Sequence, residues 1–340
     1  MTEQLIAVRE FAREYFNLDP DRVTQMAGAG SSRQYFRLLF IGKPVIGTWS
    51  EDIKENEAFF YLSGILHSAG INVPQVIAID ESRKIYLQTE CATYDAYSIL
   101  TGASYKDQQP WLRKIIDQLC RIQTFVDPLV DYSRCYPSSF FGKEDVMTDL
   151  TYFERYFLEP IGIRFDQNML KQEFEKMAQR VENSHFMGFM YRDFQSRNIM
   201  VREDGELCFI DFQGARKGPC TYDVISLLYQ AKLGLNTVQR EELLDYYYSG
   251  ILSACRIELS DLKADKDAVL PVRLLQVLGA YGRRGIQERK PHFVTSIGPA
   301  IDNLSEMPDS QDFTSNYPYL TSIIQEIIGS KESILCQIKD

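Results

Sequence analysis

"FMYRDFQSRNIMVREDGELCFIDFQGA", residues 189–215, sets two aspartates and an asparagine into one window: Asp193 and Asn198 five apart, Asp211 thirteen further on. The runs "NIMV" (198–201) and "LCFID" (207–211) are short and apolar and flank the turn "EDGE", which predicts a hairpin. A hairpin of that length folds its ends together, so Asn198 and Asp211 are expected on one rim. Phosphoryl transfer needs such a set. It requires a carboxylate to orient an acceptor hydroxyl and take its proton, and hard oxygen ligands to hold Mg²⁺ against nucleotide phosphates. Asp193 can supply the first, Asn198 and Asp211 the second, with ATP or another NTP and Mg²⁺ as the expected cofactors.

Upstream, "MTEQLIAVREFAREYF" reads as an amphipathic helix with Leu5, Ile6, Val8, Phe11, Ala12, Tyr15 and Phe16 roughly along one face. From 24 to 49 the period changes, and "SSRQYFRLLF" and "KPVIGTW" flank Gly42-Lys43 as a strand hairpin. "EDIKENEAFFYLSGILHSAG" returns to helical spacing and ends at Gly70, and "VPQVIAID" and "KIYLQTE" form a strand pair around Asp80 to Arg83. Residues 1–88 therefore read as a small, β-rich lobe, 89–94 ("TECATY") as the joint, and 95–340 as a mainly helical lobe. Helices are expected over 108–126, 146–158, 166–183, 222–234, 238–252, 269–289 and 316–329, with one β interruption at 188–211.

The 340 residues carry a net charge of −10 and a pI near 5.0, so the electrostatic footprint of a nucleic-acid or anionic-membrane binder is lacking. The charged N-terminus is unlike a signal peptide, and no run of eighteen apolar residues occurs. Seven scattered cysteines (91, 120, 135, 208, 220, 255, 336), never in a CxxC pair, point to reduced thiols in a cytoplasm. His67, His185 and His292 stand isolated.

"YRDFQSRN…IDFQGA" resembles the catalytic loop and metal-binding segment of the protein kinase-like fold, H-R-D-x-x-x-x-N followed by D-F-G. The resemblance is closer to the aminoglycoside/choline phosphotransferase branch than to protein kinases. Within it, "RDFQSRNIMV…FIDFQGARKGPCTYDVISLLYQ" is similar to bacterial anomeric sugar kinases that phosphorylate N-acetylmuramate and N-acetylglucosamine for cell-wall recycling. The match is dense only over 191–228, with "LLQVLGAYGRRGIQ" (274–287) similar to the branch's C-terminal helix. The resemblance implies an α+β, bilobal protein kinase-like fold with a small β-rich N-lobe and a large helical C-lobe. It implies Asp193 as base, Asn198 and Asp211 as metal ligands, and Tyr191, Arg192 and Asp223 as structural support. Its activity would be ATP- and Mg-dependent transfer to a small-molecule hydroxyl, foremost that of a sugar or amino sugar.

On the nucleotide side, "MAGAGSSRQYFRLLF" (26–40) lies where such a lobe places its glycine-rich loop. Gly28 and Gly30 would let the backbone approach phosphates, and Ser31 and Ser32 would add donors. No G-K-[ST] follows, so the loop is not a Walker A motif. The strand "PVIGTW" has Gly47 or Thr48 where a kinase-like lysine falls; Arg33 or Arg37, ahead of Lys54, is expected to supply that charge, with Glu57 ahead of Glu55 as its helix partner. The joint around Thr89, Glu90 and Ala92 would receive adenine through its backbone. Tyr191 replaces the motif's histidine, and Gly214 an acidic residue common in the sugar kinases.

For the acceptor, Arg197 and Gln213 are candidates, and Arg216 and Lys217 could favour a carboxylate. A cationic aminoglycoside would instead draw on "DVMTDLTYFERYFLEP" (145–160), and choline on an aromatic cage such as Tyr246 to Tyr248. No A-P-E segment follows Asp211, against a protein kinase. A degenerate nucleotide-binding module is the non-catalytic alternative.

Overall fold

The computed structural model describes residues 2–26 and 33–339. Along the chain come α1 (Glu3–Phe16), β1 (Arg22–Gln25), β2 (Gln34–Phe40), β3 (Lys43–Trp49), α2 (Ile53–Ser68), β4 (Val76–Ile79), β5 (Ile85–Thr89), β6 (Tyr94–Asp95) and α3 (Ala96–Leu100). Then follow α4 (Tyr105–Arg121), α5 (Lys143–Phe153), α6 (Gln167–Glu182), β7 (Met187–Met190), β8 (Ile199–Val201), β9 (Leu207–Phe209) and β10 (Arg216–Pro219). The chain ends in α7 (Thr221–Leu228), α8 (Thr237–Ala254), α9 (Leu259–Tyr281), α10 (Pro291–Asn303), α11 (Glu306–Asp309), α12 (Gln311–Asn316), α13 (Pro318–Gly329) and α14 (Lys331–Lys339). Internal contacts divide it into one unit of Met1–Ser98, Phe125–Ser139 and Ser196–Ala215, and a second of Ile99–Thr124, Phe140–Gln195 and Arg216–Asp340.

In the first unit, β1-β2-β3-β5-β4 form an antiparallel sheet. Alternation in "QYFRLLF" turns Phe36, Leu38 and Phe40 to one face, where they pack with Val45, Ile85 and Leu87 beneath Val8 and Ala12 of α1. Ile6 and Tyr15, expected on that apolar stripe, are 41% and 52% exposed, because the helix buries a narrower face. Gly47 lies where α1 crosses the sheet: a Cβ there would come within 2.3 Å of Val8 Cγ1. No lysine fits at that position. A second small sheet, β6-β8-β9, pairs the joint with the hairpin through Tyr94↔Val201 and Ile199↔Phe209.

That pairing also brings Cys91 and Cys208 together, 117 residues apart in sequence, in a disulfide with Cα atoms 5.8 Å apart. This corrects the expectation of reduced thiols for those two cysteines, since the contact arises from strand pairing that no cysteine spacing reveals. Cys120, Cys135, Cys220, Cys255 and Cys336 form no disulfide. Among the described residues, no helix is long and apolar enough to cross a membrane.

The second unit is mainly helical, around the antiparallel pair β7–β10 (Arg216↔Met190, Lys217↔Phe189). Helix α9 starts at Leu259, earlier than the apolar period suggests, and α7 stops at Leu228, earlier than expected. α10 and α14 are additional helices that the sequence did not announce. Below α9, Gly282 meets the segment after α5 so closely that a Cβ would lie 2.0 Å from the carbonyl oxygen of Tyr156. The neighbour is backbone and cannot rotate away. Gly282→Ala is therefore expected to lower unfolding free energy by about 1–3 kcal/mol, read from the urea midpoint; an unchanged midpoint would mean the segment gives way freely.

Candidate active site

Each unit carries part of the candidate chemistry. In the first, the hairpin closes as its sequence implies: Ile210 N–H donates to the Asn198 carbonyl at 2.9 Å. Asp211 follows with φ 67°, a left-handed backbone costly for a non-glycine residue. Its two carboxylate oxygens accept from different amides, Oδ2 from Asn198 Nδ2 at 3.3 Å and Oδ1 from Gln213 Nε2 at 2.7 Å. Asp211 is exposed although Phe212 next to it is fully buried, stacked on Phe59 of α2 with centroids 5.1 Å apart. A carboxylate and a carboxamide are hard oxygen donors, and Mg²⁺ commonly takes only one or two ligands from the protein. The donor set therefore fits Mg²⁺. Among the described residues, no group of three or more His, Cys, Asp or Glu side chains is placed to hold a metal.

Gly28, Gly30, Ser31 and Ser32 lie outside the described residues. Arg33, immediately after them, is only 3% exposed. Its Nε lies 3.3 Å from Glu55 Oε2 and its Nη2 3.4 Å from Asn56 Oδ1. Burial works against its charge, but Tyr86, Tyr35 and Glu55 outweigh it and hold the guanidinium above its ordinary pKa. Tyr35, Thr48 and Tyr86 are cross-strand partners on β2, β3 and β5 and so share a sheet face. The arginine stands over the very face onto which a β3 lysine at position 48 would project.

Arg37, the other candidate cation, makes a bidentate pair with Glu90 of the joint at 2.6 and 2.9 Å. Thr89 is committed to the sheet, its N–H donating to Gln75 O at 3.0 Å, and Ala92 is half-buried in the joint. Glu57 does not face Arg33; it pairs with Arg83 on the surface. Glu55 takes the place expected for Glu57, because residues two apart on a helix point to different sides. Arg197 stacks on Tyr97, with its Cζ 4.1 Å from the ring centroid.

In the second unit, β7 delivers the chain into Tyr191, Arg192 and Asp193. Asp223 at the start of α7 is fully buried and collects two consecutive backbone N–H groups, of Tyr191 at 2.7 Å and Arg192 at 2.9 Å. Gln123 Nε2 adds a third donor at 3.2 Å, and Gln123 Oε1 in turn accepts from Tyr247 Oη at 2.7 Å. Burial pushes the Asp223 carboxyl up to about 7 against the pull of those N–H donors. Tyr191 is buried, 5.3 Å from Phe194 edge to face, so it fills space where the motif has histidine.

Arg192 has φ 78° and its guanidinium makes a bidentate pair with Asp149 of α5 at 2.9 and 2.7 Å. It also stacks on Phe141 and Tyr222 at 4.7 and 4.9 Å. Burial opposes its charge, and Asp149, with Tyr222 and Asp193, holds it up. Four residues before Asp149, Asp145 pairs with Arg216 at 3.0 Å. Burial and the neighbouring Arg192 lower the Arg216 pKa, partly offset by Asp145, Asp149 and Asp193. Asp193 itself is exposed between buried Tyr191 and Phe194. Lys217 is exposed. Tyr247 and Tyr248 are core residues, 0% and 2% exposed, and Tyr246 bonds Asp117.

Gln123 did not stand out in the sequence, and Asp149 was read only within the acidic stretch 145–160, as material for a cationic acceptor rather than as the partner of Arg192.

Residues 27–256 match the family model for the phosphotransferase enzyme family. No curated protein matches the chain. Similar solved structures include the choline kinase LicA from Streptococcus pneumoniae, at 15% identity and TM-score 0.56, covering 87% of this chain and 98% of that one. The Plasmodium vivax ethanolamine kinase is 13% identical with TM-score 0.57, over 87% of this chain and 84% of that one. The aminoglycoside phosphotransferase APH(4)-Ia, a thermostable mutant in ternary complex with ADP and hygromycin B, is 13% identical with TM-score 0.55, over 87% and 97%. At these identities the likeness is one of fold, the protein kinase-like fold of a small antiparallel-sheet lobe and a mostly helical lobe.

The two kinds of ion pair should separate in stability. Asp149→Asn leaves a buried guanidinium under-compensated and is expected to cost about 3 kcal/mol, whereas Glu51→Gln, at the exposed Lys84 pair, should cost under about 1 kcal/mol. Urea unfolding of both variants checks this. Equal, small losses would mean that Asp149 does not anchor Arg192.

Proposed function

The chain belongs to the phosphotransferase enzyme family and acts as a phosphotransferase on a small-molecule hydroxyl; on that premise we propose that it is an ATP- and Mg²⁺-dependent kinase of a sugar or amino sugar. Asp193 is the base: its exposed carboxylate would accept the proton of the attacking hydroxyl as the oxygen forms its bond to the γ-phosphorus. Asn198 and Asp211 would hold Mg²⁺, which when bound neutralises phosphate charge. Arg33, held by Glu55, is the phosphate-facing cation in place of the strand lysine, whereas Arg37 is engaged with Glu90. Gly28, Gly30, Ser31 and Ser32 would contribute the phosphate loop, and Thr89, Glu90 and Ala92 the adenine side. Tyr191, Arg192 and Asp223 support the catalytic loop. A cytoplasmic setting is part of the same reading.

The observation that carries the acceptor class is the fate of the α5 carboxylates. Asp145 and Asp149, two carboxylates of the 145–160 stretch that a cationic acceptor would draw on, are closed onto Arg216 and Arg192. An ammonium group would have to displace a buried guanidinium to use them, which is costly. The tyrosines at 247 and 248 are likewise engaged in core packing and offer no cage for a quaternary amine. A hydroxyl-rich neutral or anionic acceptor meets no such penalty. Arg197 is the acceptor-side residue this reading retains. Choline and hygromycin B, associated with the structural neighbours, are the competing class.

ADP release with ATP and Mg²⁺ across N-acetylmuramate, N-acetylglucosamine, other hexoses, choline, ethanolamine and hygromycin B tests the proposal. Turnover is expected on an amino sugar and is expected to fall about 100- to 10,000-fold in Asp193→Asn with nucleotide binding kept. Turnover on choline or hygromycin B alone would overturn the sugar assignment. Full turnover in the variant would sink Asp193 as base, and ATP binding without turnover on any acceptor would favour the degenerate module.

A further inference from the structure

Gln213 stands two residues after Asp211, where it could equally have faced an acceptor. It is 7% exposed, and its amide is turned onto two carboxylates: Nε2 donates to Asp211 Oδ1 at 2.7 Å and reaches Glu55 Oε1 at 3.5 Å. Glu55 also carries the ion pair with Arg33. The polar chain Arg33–Glu55–Gln213–Asp211–Asn198 is thus continuous within the first unit. An apolar contact runs beside it. One helical turn beyond Glu55, Phe59 stacks on Phe212 and lies beneath the Arg33 guanidinium at 6.0 Å.

From this geometry we infer that Gln213 is a positioning residue that orients the Asp211 carboxylate toward Mg²⁺ and ties it to the Arg33–Glu55 pair. The inference rests on the Mg²⁺–ATP reading above. Two carboxylates on neighbouring elements repel unless a donor lies between them, and a carboxamide NH₂ has two hydrogens to give. One hydrogen fixes which Asp211 oxygen is held, leaving the oxygens' remaining lone pairs for a cation. A glycine, which the kinase-like D-F-G motif has at this place, provides no such donor. α2, the phosphate-facing arginine and the metal ligand consequently move as a group, and the left-handed backbone at Asp211 is held from both sides.

The test measures binding without turnover. ATP affinity is determined by calorimetry with and without Mg²⁺ for the wild type, Gln213→Leu, Gln213→Glu and, from the other end of the bridge, Glu55→Gln. Unchanged melting temperatures would show that the variants are folded. The expected result is that Mg²⁺ strengthens wild-type ATP binding, and that this gain shrinks about tenfold in both Gln213 variants, with metal-free ATP affinity unchanged. Gln213→Glu should be the worse of the two, since it adds a third carboxylate. Glu55→Gln should weaken ATP binding both with and without Mg²⁺, because it loosens Arg33. An undiminished Mg²⁺ gain in both Gln213 variants overturns the inference, and a raised acceptor KM alongside it would place Gln213 on the acceptor. If the wild type shows no Mg²⁺ gain at all, the Mg²⁺–ATP reading fails, and the inference with it; the two failures are therefore distinguishable.

Discussion

The Asp211 carboxylate is the point at which the polar side chains of the first unit's hairpin meet. It accepts one amide donor on each oxygen, from Asn198 behind it in the hairpin and Gln213 ahead of it. The backbone there is left-handed, as it is at Arg192. A non-glycine residue in that conformation costs on the order of 1 kcal/mol or more, and it persists only where neighbouring contacts over-determine it. At Asp211 those contacts are the two amides and the buried, stacked Phe212 beside it. At Arg192 they are the bidentate Asp149 pair and the N–H bond to Asp223. Two of the chain's positive-φ residues outside glycine fall in the window that carries the candidate catalytic groups, and each is held by charged or amide side chains.

Such arrangements do little for net stability. Burying an arginine and an aspartate removes hydration that their attraction only roughly recovers. What the pairs confer is a defined geometry, because a guanidinium held by two oxygens and stacked on two rings has one orientation. Arg192 between Phe141 and Tyr222 is such a case. Asp145 and Asp149 on α5 are each engaged by an arginine, Arg216 and Arg192.

Much of this was legible in the sequence. The hairpin periodicity around "EDGE" was enough to bring Asn198 and Asp211 together, because alternation and turn composition determine strand pairing locally. The β-rich and helical halves followed from their periods, and the family from one dense motif. The unread part depended on contacts distant in sequence. Glu55 and Glu57 differ only in which side of α2 they face, and no composition signal distinguishes them. Cys91 and Cys208 meet through the β6-β8-β9 sheet across 117 residues. Gln123, in the π-helical turn Ile122–Val126 that follows α4, and Asp149, in α5, gain their partners only from what α7 and residues 191–192 present to them. Gln213 was visible, but the direction of its side chain, onto Asp211 and Glu55, is a property of the fold.

The most direct test of the central claim is calorimetric titration of ATP into the wild type and Asp211→Asn, with and without Mg²⁺. A metal-ligand role for Asp211 predicts that Mg²⁺ strengthens wild-type binding about tenfold or more and adds little in the variant, while metal-free affinity is alike in the two. An equal Mg²⁺ effect in both proteins would contradict it and remove Asp211 from the metal site.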